Sequence, residues 1–448
     1  MTSDDSSTTA TRLPSWANRD FQLLVSASFI SGLGNSGATI AAAYAVIDTG
    51  GSATDVGVVA AARTLAMVVF LLIGGAVADR IPRQRVMVSA NTVNALSQGL
   101  FALLVLAGHP PLWQMAALTA VGGTAQAFFS PASQGLVMST VEPAHAGKAF
   151  SVFRLATNGA NIGGAAIGGA LIAALGPGWV LAVDAIGFAV AGGLRARLSV
   201  REAARVEKSG MIRDLREGWR EFVSRSWLWG IVVQFAVVNA MTSAAQSVYG
   251  PLVSRDHLGG AGPWGLALAA DGVGTVLGGL LMIRWKPRRI LLSGTLGVFP
   301  LALPLVALAL ALPLWALVAA ELTAGVAIEV FGVGWMVALH QEIPEDKMSR
   351  VSAYDWLGSI AVMPLGLALA GPAATAFGRT QSLWGSAVLV VVLTAAVLVL
   401  PDVRRLERGH GVAVPEPAAD ATGTALPAAP REGTAAGLPQ APAPLTPQ

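Results

Sequence analysis

Long apolar runs separated by short charged breaks dominate the chain from Asn18 to Leu400. A helix needs roughly 20 apolar residues to cross a bilayer. Runs of that length recur at about 21–47, 54–78, 86–107, 111–138, 147–175 and 179–195. After a charged interval they resume at about 227–250, 262–283, 289–311, 313–340, 351–377 and 381–400. The pattern predicts an all-α membrane protein with twelve transmembrane helices, six on each side of the interval. An even count puts both termini on one face.

Loop charge tests this count, because a missed helix would invert every later loop. Loops assigned to the inside carry Arg80, Arg83, Arg85, Lys148, Arg284, Lys286, Arg288, Arg289, Lys347 and Arg350, whereas those outside carry Arg255 and Arg379. The expected location is a plasma membrane, multi-pass, with both termini cytoplasmic. An internal repeat points the same way. Pro111-Leu112-Trp113 opens the fourth run and Pro313-Leu314-Trp315 the tenth, and at the same offset Gly123 meets Gly325 and Phe129 meets Phe331. Two pseudo-symmetric six-helix bundles are therefore expected, over 18–195 and 227–401.

Residues 1–17 read as a polar cytoplasmic tail, and the Pro/Ala-rich 402–448 as a disordered one that cannot build a core. The linker, 196–226, holds Ile212, Leu215, Trp219 and Phe222 at spacings of three and four. This periodicity predicts an amphipathic helix, either on the inner headgroup surface or docked to a partner.

Composition narrows the function classes. The 448 residues are 54% hydrophobic and 12% charged, whereas soluble domains carry about 25% charge. With no cysteine, thiolate metal sites and cysteine nucleophiles are excluded. The five histidines fall in or beside loops and never pair at ligand spacing. There is no H-E-x-x-H, no G-x-S-x-G and no aromatic-basic interleaving. No enzyme, metal, cofactor or nucleic-acid partner is expected.

One charged break carries more information than the rest. Gly75, Asp79, Arg80, Arg83 and Arg85 make the pattern G-x-x-x-D-R-x-x-R-x-R around Pro82, which prevents one continuous helix. The pattern resembles the signature between the second and third helices of the major facilitator superfamily, with Pro82 for its usual glycine and Gln84 for a usual basic residue. Asn18-Arg19-Asp20-Phe21, Phe128-Phe129-Ser130-Pro131, Asp184-Ala185-Ile186-Gly187-Phe188 and Gln341-Glu342-Ile343-Pro344 extend the likeness. They are similar to the macrolide-efflux and enterobactin-exporter-like branch. That resemblance implies proton-driven export, with the first, fourth, seventh and tenth spans lining a central cavity. Gly164-Ala165-Ala166-Ile167-Gly168-Gly169 lacks the proline of the antiporter motif G-P-x-x-G-G, and its glycines equally serve close helix packing.

A charge inside the membrane costs at least about 2.5 to 3.5 kcal/mol and is seldom present without a role. Six such residues stand out: Arg63, Arg154, Asp184, Asp271, Glu321 and Glu329. At 1.5 Å per residue, Asp271 lies about 20 Å from Arg284 and Glu329 about 16 Å from His340. Glu329, Glu321, Asp271 and Asp184 are the proton-coupling candidates; Arg63 and Arg154 are buried bases able to pair with an acid. Gly75, Asp79, Arg80 and Arg83 form an expected conformational gate. Asn35, Thr39, Gln126, Gln234, Asn239 and Gln246 are the expected cavity contacts, with plain interhelical hydrogen bonding as the alternative reading of each. The expected activity is export of a small amphipathic organic compound by proton antiport and alternating access, by a monomer in the lipid bilayer. A proton-coupled nutrient importer and a lipid scramblase are the competing readings.

Overall fold

The computed structural model describes residues 17–78, 81–108, 110–142, 145–199 and 211–409. The gate residues Asp79 and Arg80, the linker cations Arg201, Arg205 and Lys208, the first 16 residues and the tail from 410 lie outside the described residues.

Secondary structure among the described residues is helical throughout. The first six spans are Arg19–Asp48, Ala53–Ala78, Arg83–Ala107, Leu112–Ser139, Ala146–Leu175 and Pro177–Ala196. The linker helix is Met211–Val223. The remaining spans are Ser226–Leu258, Ala261–Arg284, Ile290–Ala309, Leu314–Glu342, Arg350–Phe377 and Arg379–Val399. Eleven of the twelve qualify as spans by length and apolar content. The other, Leu112–Ser139, is a 28-residue helix in the fourth position.

Three spans are broken, each for a visible reason. The ninth divides into Ile290–Leu296, the 3₁₀ turn Phe299–Leu301 and Ala302–Ala309, because Pro300 and Pro304 remove two amide donors. The eleventh breaks between Ile360 and Met363, just before Pro364. The seventh runs to Leu258, past the apolar run that ends near Gly250, and relaxes into π turns at Ala245–Tyr249 and Ser254–Leu258.

Each half packs as the repeat requires. The second span crosses the fourth, the third crosses the sixth, and the first lies against the fifth and sixth. In the other half the eighth crosses the tenth. Pro111 and Pro313 both stand immediately before their helices in extended backbone, ψ 146° and 154°, so the repeated tripeptide has one structural job twice. Gly123 packs on the backbone carbonyl of Arg63, and Gly325 on that of Asp271. A Cβ at either glycine would collide with that oxygen.

The halves meet along two seams, the second span with the eleventh and the fifth with the eighth. Contact concentrates at one end. There Gly57 meets the Leu367 carbonyl, Gly371 meets Thr54, and Gly169 packs against Gly265. Tyr44 Oη also donates across the seam to the Pro251 carbonyl at 3.2 Å.

The linker helix does not lie free on a surface. Trp219 and Phe222 pack on Tyr354 with ring centroids 5.5 and 6.1 Å apart, and Phe222 is 7% exposed. Glu217 accepts from Arg350 at 2.7 Å and Glu221 from Lys347 at 2.8 Å. Trp219 and Phe222 of its apolar face thus pack on the start of the eleventh span, with Trp219 still 52% exposed. The C-terminal tail also begins later than expected: the short helix Pro401–Arg405 is packed, with Val403 fully buried.

Candidate functional site

The Gly123 crossing fixes the second span against the fourth, and Arg63 then reaches across to the first. Its Nη2 donates to Asn35 Oδ1 at 2.7 Å and its Nη1 to Thr39 Oγ1 at 3.4 Å. Three candidates thus form one cluster, and Arg63 is bonded to neutral groups. Arg63 and Thr39 border a cavity of about 200 Å³ between the halves, closed opposite by Ser243 and Ser247 of the seventh span and Met363 and Leu367 of the eleventh. A second cavity, about 270 Å³, lies within the first half, where Asn35, Gln126, Ser28 and Asn161 are among its walls.

Asp184 is fully buried on the sixth span against Gly34 of the first. Among the described residues neither of its carboxylate oxygens has a hydrogen-bond partner. Glu321 is in the same condition on the tenth span, 1% exposed and with both oxygens unpartnered. The glycines Gly274 and Gly325 bring its helix onto that of Asp271, so two acids share one crossing. Glu329, two turns further along, behaves differently. Its Oε1 lies 3.9 Å from Nη2 of Arg154 on the fifth span, which belongs to the other half. The pair is partly solvated, the side chains being 27% and 57% exposed.

The seventh-span candidates go elsewhere. Gln234 is buried and donates to Thr394 of the twelfth span at 2.8 Å, and Asn239 donates to the Ser359 carbonyl at 3.0 Å. Neither they nor Gln246 line the two cavities, where Ser243 and Ser247 stand instead. The span is apolar on every side, so its sequence carries no phase by which to choose the inward face. Of the gate residues, Gly75 lies in the second span and Arg83 opens the third.

Two groups escaped the sequence reading. Arg195, the last residue of the sixth apolar run, is fully buried beside the cavity of the first half. It donates to Ser28 Oγ at 3.0 Å and Ser31 Oγ at 3.5 Å and lies 4.8 Å from the Phe129 ring centroid. With the Asn91 amide turned so that its oxygen faces the guanidinium, Nη1 donates to it at 2.6 Å. Gln84 explains how the terminus is held: its Nε2 donates to the carbonyls of Arg195, Ala196 and Leu198, a neutral C-cap at the place where the signature usually has a base. The second group is Asp355, which accepts from Trp335 Nε1 at 3.0 Å. The signal available for both was a charge with few polar neighbours within a turn of a run's edge.

This arrangement, two helical halves with a cavity between them and charges at helix crossings, matches known transporters. The family model described as Major Facilitator Superfamily covers residues 24–359. The Multidrug efflux pump Tap of Mycolicibacterium fortuitum is 28% identical over 404 residues, 86% of this chain and 96% of that protein. The pump of the same name from Mycobacterium tuberculosis is 24% identical over 415 residues, 89% of this chain and 97% of its own. Among solved structures, nucleoside transporter NupG superposes with a TM-score of 0.65 at 14% identity, over 85% of this chain and 98% of that one. A bacterial homolog to human lysosomal transporter Spinster, in an inward-facing and unoccupied conformation, gives 0.61 at 16%, over 85% and 96%. The protein is a multi-pass membrane transporter and not an enzyme, and it belongs to the Major Facilitator Superfamily.

Proposed function

We propose that the chain exports a small amphipathic organic compound in exchange for protons, by alternating access across a plasma membrane with both termini cytoplasmic. The observation that carries this reading is the Arg154–Glu329 pair, which joins the fifth span of one half to the tenth of the other. Protonation of Glu329 removes one charge of the pair, and with it an attraction that the two halves share. Glu321, Asp271 and Asp184 are the reserve carboxylates of the same scheme. An ionised acid at Glu321 or Asp271 has little to offset its desolvation, so exchanging a proton is the chemistry open to it, whereas Asp184 has the Arg63 charge nearby. The relatives named as multidrug efflux pumps support export over uptake. The cavity between the halves, with apolar walls and Arg63, Thr39, Gln98, Ser243 and Ser247 among its polar groups, suits an amphipathic guest.

The test is a panel of amphipathic antibiotics on everted membrane vesicles energised to an acidic lumen. At least one compound is expected to accumulate in vesicles containing the protein, to discharge the pH gradient as it enters, and to leave when a protonophore is added. Accumulation in intact cells instead would make the protein an importer. Lipid flip-flop without any gradient in liposomes would make it a scramblase.

A further inference from the structure

The loop after the eighth span and the segment after the twelfth are more than a hundred residues apart, yet the fold sets them side by side. The Arg408 amide donates to the Arg288 carbonyl at 2.7 Å. Both segments are pinned from beneath, by buried Pro287 in one and by Val403, fully buried, in the other. Asp402 accepts from Ser226 Oγ and so ties the short terminal helix to the seventh span. Around these anchors Arg284, Lys286, Arg288, Arg289, Arg404 and Arg405 are all exposed.

Among the described residues none of these six cations has a carboxylate within ion-pair distance, and neighbouring Glu407 makes no ion pair either. Several surface bases elsewhere are paired, Arg350 with Glu217, Lys347 and Arg225 with Glu221, and Arg379 with Asp256, whereas Arg216 and Arg220 on the linker helix, unpaired among the described residues, lie on a single segment. Arg408, half-buried between the two segments, has its Nη1 enclosed without an acceptor. The rim of the cluster is apolar, with Ile283 69% exposed, Val399 66% and Trp285 44%. Topology accounts for the sign of these charges. It does not account for gathering two distant segments into one unneutralised surface bordered by lipid-facing side chains.

We infer that this surface binds the phosphate-bearing headgroup of an anionic phospholipid. Guanidinium groups bind phosphate oxygens in bidentate fashion, and an exposed Trp beside them sits at headgroup level. Ile283 and Val399 offer the adjoining acyl chain an apolar wall. The chain's own tail is a poor occupant, because residues 410–448 contain only Glu416, Asp420 and Glu432 as acids.

The experiment is native mass spectrometry of the purified full chain with dioleoylphosphatidylglycerol and, separately, dioleoylphosphatidylcholine. Preferential retention of phosphatidylglycerol is expected, and each cation removed from the surface should weaken it about fivefold. Both the double variant Arg288→Gln/Arg289→Gln and the double variant Arg404→Gln/Arg405→Gln should show the loss, since the site is composite. Arg216→Gln/Arg220→Gln on the linker helix removes the same charge elsewhere and should leave retention unchanged. Equal retention of the two lipids, or equal loss in the linker variant, overturns the inference. So does phosphatidylglycerol binding that emerges only after truncation beyond Arg408, which would identify the tail as the occupant.

Discussion

At the scale of single residues, the intramembrane charges fall into three kinds. Asp184 and Glu321 are sealed within one half each, whereas Arg154 and Glu329 face each other across the seam that must open and close. Glu329→Gln keeps the size and hydrogen-bonding capacity of the side chain and removes its titration. It should therefore insert and fold as the parent does while gradient-driven transport falls to background, with substrate counterflow retained. Full gradient-driven efflux in this variant, measured in everted vesicles, would remove Glu329 from the coupling mechanism and leave Glu321 or Asp271 as the next acid to test. Arg195 belongs to a third kind. Its guanidinium joins the first, third and sixth spans through Ser28, Ser31 and Asn91, so it sets the shape of the first-half cavity.

At the scale of elements, the repeat is built on glycine contacts and the linker on ion pairs. Gly123→Ala and Gly325→Ala each place a methyl group against a backbone carbonyl, a strain that costs about 1 to 3 kcal/mol when a packed site is overfilled. Both should lower the melting temperature of the purified protein, and by similar amounts because the two crossings are equivalent. An unchanged melting temperature would mean that the helices separate freely at these points. The linker clamp has a pH dependence with a definite sign. The Lys347 ammonium, and then Arg225, hold the Glu221 carboxyl below the usual glutamate range. A carboxyl depressed in the folded state contributes stability above its unfolded pKa, about 4.3, and loses it as pH falls through the folded value. The clamp should stay closed from neutral pH down to that range and loosen only below it. Limited proteolysis of the linker tests this: Glu221→Gln should raise cleavage at pH 7, and cleavage of the parent between pH 7 and 5 should not change.

At the scale of the whole molecule, the structure shows one arrangement of the two halves, closed where Thr54, Gly57, Gly169 and Gly371 make their contacts. A Cβ at Gly262 of the eighth span would lie 3.9 Å from the Ala173 Cβ of the fifth, within the range a disulfide accepts. Since the chain has no cysteine of its own, Ala173→Cys/Gly262→Cys is a clean lock. Oxidation should cross-link it and arrest transport, and a reductant should restore it. Transport that persists in the cross-linked protein would show that this seam does not open during the cycle.

What was legible in the sequence is what the bilayer itself imposes. Twelve apolar lengths and the Pro-Leu-Trp repeat follow from hydrophobic thickness and local backbone chemistry, and each reappears in the structure close to its expected bounds. The identity of the intramembrane charges was equally plain, because such residues are rare. Their pairing was not. Which face of an all-apolar helix turns inward is a matter of helix phase, and a span without amphipathic contrast carries no record of it. Hence Gln234 bonds to Thr394 while Ser243 and Ser247 border the cavity, and Arg63 bonds to Asn35 and Thr39. Arg195 stood only for the end of the sixth run, because distance along the chain says nothing about whether a terminus tucks under its neighbours. The long-range contacts of the Gly57, Gly123 and Gly169 crossings decided those questions, since close approach of two backbones fixes both the depth and the direction of every side chain between them.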